Sequence, residues 1–187
     1  MNTIICILGR SGVGKDTLAN VVCDELNLKK VVSRTTREPR EREKDGVNYF
    51  FLRKEDYWSD VKEERICAHT KIGDNYYWTN EYDVLSSDIY IIDPQGLETL
   101  KEKMKSLGTR IVTIYITAPT GENLKRGFLR SPSGYDKFLI KAGAEGKQFA
   151  DYEAKADYDY IIHNVHFEIS KEQLKLIIQK EITNYAF

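Results

Sequence analysis

Thr3-Ile-Ile-Cys-Ile-Leu8 runs without interruption into Gly9-Arg-Ser-Gly-Val-Gly14-Lys15, and then into Asp16-Thr17-Leu18. The first stretch is a short, mostly apolar run rich in isoleucine, which reads as a strand buried on both faces of a parallel sheet. Behind the glycines, Leu18, Val21, Val22 and Leu26 recur near one face of a helix. Strand, glycine loop and helix in immediate succession are the context that makes the pattern G-x-x-x-x-G-K a phosphate-binding loop. The glycines let successive backbone N–H groups converge on a phosphate chain. The helix N-terminus adds partial positive charge, and Lys15 neutralises the outer phosphates. Gly9, Arg10, Ser11, Gly12, Val13, Gly14, Lys15, Asp16 and Thr17 are the candidate residues of this loop. Asp16 stands where a Ser or Thr hydroxyl normally meets Mg²⁺. Two roles are open to it: a carboxylate ligand of the metal, or an acid favoured in a first helical turn while Thr17 supplies the hydroxyl.

Outward from the loop, strands are predicted at residues 30–33, 89–93, 110–116 and 160–162. Helices fall between them. One covers residues 95–107, with Pro94 at its start and Gly108 past its end. Another begins near Thr120 and carries Leu124, Arg126 and Arg130, and a last one is signalled by the capping-box pattern Ser170-Lys-Glu-Gln173. Alternating strands and helices favour an α/β fold of mostly parallel strands flanked by helices. Residues 49–79 differ, mixing aromatic strands with a short helix at about residues 55–61, and read as a β-rich insert. Ser131-Pro-Ser-Gly134 reads as the tip or hinge of a mobile lid. The expected division is a core of residues 1–33, 80–125 and 148–187, an acceptor-binding insert of 34–79 and a lid of about 126–147.

The chain has 187 residues with formal net charge −1, which suits one α/β domain and argues against a general nucleic-acid binder. No apolar stretch approaches a membrane span, and residues 1–8 do not read as a signal peptide. Three cysteines, with no C-x-x-C pair, point away from a disulfide framework and toward a reducing cytoplasm.

A second anion grip is suggested by Ser33-Arg-Thr-Thr-Arg37-Glu-Pro-Arg40-Glu-Arg-Glu43, with Asp45-Gly46 and Tyr49 following. Arginines presenting planar paired donors after a strand edge suit phosphate oxygens, although such a run is also an ordinary solvated loop. With Asn75-Tyr-Tyr77, Asp93-Pro-Gln-Gly96, Ala118-Pro119, the arginine-bearing helix and Tyr158-Asp-Tyr160-Ile-Ile-His-Asn164, these pieces make the chain resemble the guanylate kinase family over nearly its whole length.

The resemblance implies a cytoplasmic phosphotransferase moving the γ-phosphoryl group of ATP onto GMP or dGMP with Mg²⁺. It implies a monomer or homodimer whose partners are nucleotides, not nucleic acid or membrane. By the family's pattern Arg37, Arg40, Tyr49 and Tyr77 hold the acceptor phosphate, Ser33 and Thr79 face the acceptor base, and Asp93 lies near the acceptor nucleoside and metal waters. Lys15, Arg37, Asp93 and the lid arginines Arg126 and Arg130 are the implied catalytic set, and Asn164 lies near the donor adenine. Four positions depart from the pattern. The base-reading glutamate falls on Ala68 (or on Cys67 with one gap), Trp78 replaces a glycine and is expected to reshape the pocket, Ile91 replaces an acid, and Lys141 stands for a lid arginine. A kinase of the same fold acting on another or modified nucleoside monophosphate, or on another small metabolite, is therefore an alternative. A non-catalytic binding module of the same fold is another.

Overall fold

The computed structural model describes residues 3–41, 43–130 and 132–183. Along the chain come β1 (Thr3–Leu8), α1 (Lys15–Leu26), β2 (Arg34–Thr35), β3 (Phe50–Phe51), α2 (Lys54–Lys62), β4 (Ile66–Ile72), β5 (Asn75–Asn80) and α3 (Glu81–Leu85). They are followed by β6 (Ile89–Ile91), α4 (Pro94–Ser106), β7 (Arg110–Thr117), α5 (Glu122–Arg130), a 3₁₀ turn at Pro132–Gly134, α6 (Tyr135–Lys155), β8 (Tyr160–His163) and α7 (Phe167–Thr183).

The main sheet has the order β6-β1-β7-β8 and every pair is parallel, with Ile5 opposite both Ile89 and Val112. Successive β1 side chains go to opposite faces. Ile4, Cys6 and Leu8 join Leu97, Leu100, Met104 and Phe149 of α4 and α6, whereas Ile5 and Ile7 join Leu18, Val22, Leu174 and Ile178 of α1 and α7. The two faces are thus covered by different helix pairs, as the unbroken apolar run of β1 demands. Each fully buried leucine or isoleucine contributes roughly 1.5–3 kcal/mol, so β1 is the best-anchored platform available for the loop that follows it.

A second sheet, in the order β3-β2-β5-β4, carries the insert; its β5 pairs antiparallel with both β2 and β4. The strand expected at residues 30–33 is reduced to a single parallel bridge, Lys30 to Ile89, with the Val31 N–H donating to Ile89 O at 2.8 Å. Beyond it the chain changes sheets: Ser33 O already accepts from Phe50 N–H at 2.9 Å. The last helix also begins earlier than its capping-box pattern indicates. Ser170 is buried and its N–H donates to His166 O at 3.0 Å, a helical bond that leaves no cap for its hydroxyl to make. The 147/148 division expected between lid and core falls inside α6, which is continuous. Ser131, expected in the hinge loop, lies outside the described residues. Among the described residues no helix is long and apolar enough to cross a membrane.

Candidate active site

The loop between β1 and α1 is shaped by what packs against it. Gly12 and Gly14 have φ of +86° and +94°, the left-handed region that favours glycine. A Cβ on Gly12 would sit 2.3 Å from Asn123 O, and one on Gly14 2.6 Å from Asn164 Nδ2. The carbonyl of Val13 is held from both sides, by Asn164 Nδ2 at 2.8 Å and Arg126 Nη1 at 3.2 Å. Arg126 Nη2 also donates to Asn164 O at 3.1 Å, and its Nε to Glu122 Oε1 at 3.3 Å. Arg126 therefore braces the loop in this structure, and Asn164, which is buried, lies beneath it. Asn164 Oδ1 has no protein partner, so the side chain keeps one unspent acceptor. Arg130 is exposed at the C-terminal end of α5.

Lys15 opens α1 with its Nζ 3.3 Å from Asp16 Oδ2. The Asp16 side chain is exposed. Its place in the cleft works against its charge, yet Lys15 beside it, and Lys141 and Lys30 further off, hold the carboxyl below the usual aspartate value. A single carboxylate here suits a Mg²⁺ that takes most of its ligands from phosphate oxygens and water. Thr17 is exposed in the same turn. Among the described residues there is no cluster of three or more histidines, cysteines or acids fit for an all-protein metal cage. His163 Nδ1 lies 2.7 Å from Thr117 Oγ1, and His69 Nδ1 3.4 Å from the Tyr57 hydroxyl.

Helix α6 fastens to this loop through residues the sequence had not singled out. Glu145 accepts from the Ser11 N–H at 3.1 Å and from the Ser11 hydroxyl at 3.0 Å. Glu153 takes both Nε and Nη2 of Arg10 at 2.8 Å. Lys141, one turn before Glu145, has its amine pulled down by burial and by the positive charges of Lys15 and Arg40, while Glu145 at 3.4 Å opposes this. Lys141 thus lies within the electrostatic reach of both Lys15 and Arg40.

On the acceptor side, Arg37 lies over the rings of Tyr49 and Phe51, 5.6 and 5.7 Å from their centroids. Tyr49 and Tyr77 meet edge to face at 5.9 Å. The Tyr49 hydroxyl is pushed up to about 12, by burial first and then by the Asp16 charge. Arg40 is exposed. Thr79 is fully buried and its hydroxyl is bonded to the Tyr90 hydroxyl. That hydroxyl, raised by burial, is drawn down by its bonds to Thr79 and Ser33. Ser33 and Thr79 are therefore brought together through Tyr90.

Asp93 caps α4 and joins three parts of the fold at one atom. Its Oδ1 accepts from Gly96 N–H at 2.9 Å, Thr70 Oγ1 of β4 at 2.8 Å and Gln148 Nε2 of α6 at 2.9 Å.

Trp78 behaves differently from its sequence expectation. Strand alternation sends it away from Tyr77 and Thr79. It is buried, donates from Nε1 to Asp60 Oδ2 of α2 at 2.8 Å and packs on Tyr57 at 5.3 Å, so it builds the insert's core. An irregularity in the β4–β5 register between Ile66 and Ala68 accompanies the burial of Cys67 and Ala68 in one apolar cluster with Val84 and Tyr90. Ile91 is half-buried against the other cluster.

Glu43, Glu145, Gln148 and Glu153 are the site residues that sequence reasoning missed. The available signal was the spacing 145, 148, 149, 152, 153, which lies on one helix face. Nothing in it names the partners.

The family model for guanylate kinase matches residues 1–181. A guanylate kinase of Rickettsia bellii is 33% identical over 185 residues, spanning 95% of this chain and 94% of that protein. One from Caldanaerobacter subterraneus subsp. tengcongensis is 31% identical, spanning 95% and 87%. The crystal structure of guanylate kinase from Anaplasma phagocytophilum superposes with a TM-score of 0.72 at 26% identity, covering 96% of this chain and 86% of that one. The chain belongs to the guanylate kinase family.

Proposed function

We propose that this protein is a cytoplasmic nucleoside monophosphate kinase that transfers the γ-phosphoryl group of ATP to GMP or dGMP, releasing ADP and the nucleoside diphosphate. The observation that carries this reading is the left-handed glycine loop that opens directly onto Lys15, together with the carboxylate-braced turn of the insert that carries Arg37 and Arg40. Two anionic nucleotides need cations converging from both sides before their phosphates can approach. The loop N–H groups and Lys15 receive the donor phosphates. Arg37, Arg40, Tyr49 and Tyr77 receive the acceptor phosphate, and Lys141 lies between them with Arg126 and Arg130 behind. No general base is required, because the acceptor phosphate is already ionised. Mg²⁺, when bound with the donor phosphates beside Asp16, neutralises charge that develops during transfer. Asp93 ties β4, α4 and α6 together at the acceptor end through Oδ1, and closure of α5 and α6 excludes water that would otherwise waste ATP. The division into core, insert and lid follows this chemistry, with α6 belonging to both lid and core.

One observation favours a second reading of the acceptor. Ala68, at the position of the family's base-reading carboxylate, is buried and apolar, and a site without that partner discriminates guanine less well. A coupled ADP-release assay with ATP, Mg²⁺ and each common nucleoside and deoxynucleoside monophosphate decides between them. A dominant response to GMP or dGMP is expected. A dominant response to another monophosphate establishes the second reading, and silence across the panel removes both.

A further inference from the structure

We propose that Glu43 is the positioning residue of the acceptor-phosphate grip, holding Arg37 in the orientation that receives the phosphate. The inference rests on the assignment of Arg37 and Arg40 to the acceptor phosphate. Both oxygens of Glu43 take Arg37 Nη2, at 3.0 and 2.9 Å, and Arg37 Nη1 donates to Glu38 O at 2.7 Å. Glu43 Oε2 also accepts from the Arg40 N–H at 2.9 Å, while the Glu43 N–H returns to Arg40 O at 2.9 Å. One carboxylate therefore closes the turn that carries Arg40 and fixes the guanidinium of Arg37.

A carboxylate on a phosphate-binding arginine has two opposite consequences. It can compete with the phosphate for the same donors, or it can fix the guanidinium while leaving other donors for the phosphate. The geometry selects the second. All of the contact to Glu43 goes through Nη2, whereas Arg37 Nε is buried and has no protein partner. A guanidinium offers its donors in a rigid fork, so fixing Nη2 and Nη1 fixes Nε as well. The rings of Tyr49 and Phe51, with centroids 5.6 and 5.7 Å from its central carbon, leave the fork little room to move. The Arg37 and Glu43 side chains are only 15% and 16% exposed, so water does not screen the pair as it would at the surface. The fork thus keeps one donor that Glu43 does not consume.

The test is steady-state kinetics with ATP and the best acceptor from the panel, on Glu43→Gln, Glu43→Ala, Arg37→Ala and the double variant Arg37→Ala/Glu43→Ala. Glu43→Ala is expected to raise the acceptor KM about tenfold, with kcat and the ATP KM within about twofold of wild type. Glu43→Gln keeps the shape and one acceptor oxygen and is expected to recover part of that loss. The double variant is expected to be no worse than Arg37→Ala alone, because Glu43 acts through Arg37. A lower acceptor KM in either Glu43 variant would show competition and overturn the proposal, as would losses that multiply in the double variant. If Glu43→Ala does not fold, the sign of the Glu43→Gln effect decides alone. An unchanged acceptor KM in Arg37→Ala would instead sink the assignment of the grip itself, which separates the two failures.

Discussion

Glu145 of α6 grasps Ser11 of the phosphate loop with both carboxylate oxygens, one on the main-chain N–H at 3.1 Å and one on the hydroxyl at 3.0 Å. The N–H groups of this loop are its anion site, so the helix lays its own negative charge where donor phosphates approach. Removing that charge while keeping the shape should ease ATP entry. Glu145→Gln is expected to lower the ATP KM about threefold, an effect the size of a partly exposed ion pair. Initial rates at saturating acceptor read it directly, and a higher KM would mean that the contact serves closure more than it obstructs binding.

Lys15 supplies the loop's one side-chain cation for the outer phosphates. Lys15→Ala is expected to reduce kcat by about 10³-fold, the scale of losing a preorganised electrostatic partner of the transition state. Far-ultraviolet circular dichroism should remain native, since the Lys15 amine's ion pair is with the exposed Asp16 of the same helical turn. Turnover near wild type would remove the phosphate loop from the mechanism.

Asn164 supports the loop from below. Asn164→Ala leaves Val13 O with Arg126 as its remaining side-chain donor. A loss of about 1–3 kcal/mol in folding stability is expected for breaking this buried bond, together with a higher ATP KM. Urea denaturation and initial rates measure the two parts separately.

Trp78 belongs to the insert's core. Trp78→Ala should cost about 3–5 kcal/mol by opening a cavity and should also strip Asp60 of its indole donor. The order of acceptor preference is expected to stay the same. A changed preference at unchanged stability would return Trp78 to the base pocket.

Glu153 links stability to acid. The paired bonds from Arg10, aided by the Tyr115 hydroxyl, hold its carboxyl below the ordinary glutamate value of 4.5. A carboxyl depressed in the folded state contributes stability that is complete above that value and is lost as pH falls through the folded pKa. Wild type should therefore lose stability more steeply below about pH 4.5 than Glu153→Gln does. Urea midpoints at pH 6 and at successive steps below 4.5 test this, and parallel profiles would count against the coupling.

The elements that were legible in the chain are those whose cause is local. The helix expected at residues 95–107 is seen as Pro94–Ser106. Pro94 fits a first turn without needing its missing N–H, and Gly108 adopts φ +64° just past the end. The strand at residues 30–33 failed because an apolar pair at Val31-Val32 is too short to hold a ladder against the change of sheet at Ser33. The pattern at Ser170 was misread because a hydroxyl and an amide three residues apart, here Ser170 and Gln173, also occur inside a helix. The burial of Trp78 against Tyr57 and Asp60 was not legible, because family position says nothing about which side of β5 the indole occupies.

By itself the sequence determined the parallel core and the phosphate loop. An apolar strand, left-handed glycines and a helix start are properties of contiguous residues, and burial on both faces follows from the apolar run. It also singled out Arg37 and Arg40, since two arginines three residues apart after a strand edge match the charge and planar geometry of a phosphate. Only the tertiary structure decided that Glu43 holds Arg37, that Glu145 and Glu153 tie α6 to the loop, and that Thr70 and Gln148 meet on Asp93. These are acids and amides on exposed-looking stretches, compatible with water as readily as with each other. What selects their partners is the packing of α6 and the insert around the sheet, because a hydrogen bond reaches about 3 Å and two of these pairs, Arg10 with Glu153 and Ser11 with Glu145, lie more than a hundred residues apart in the chain.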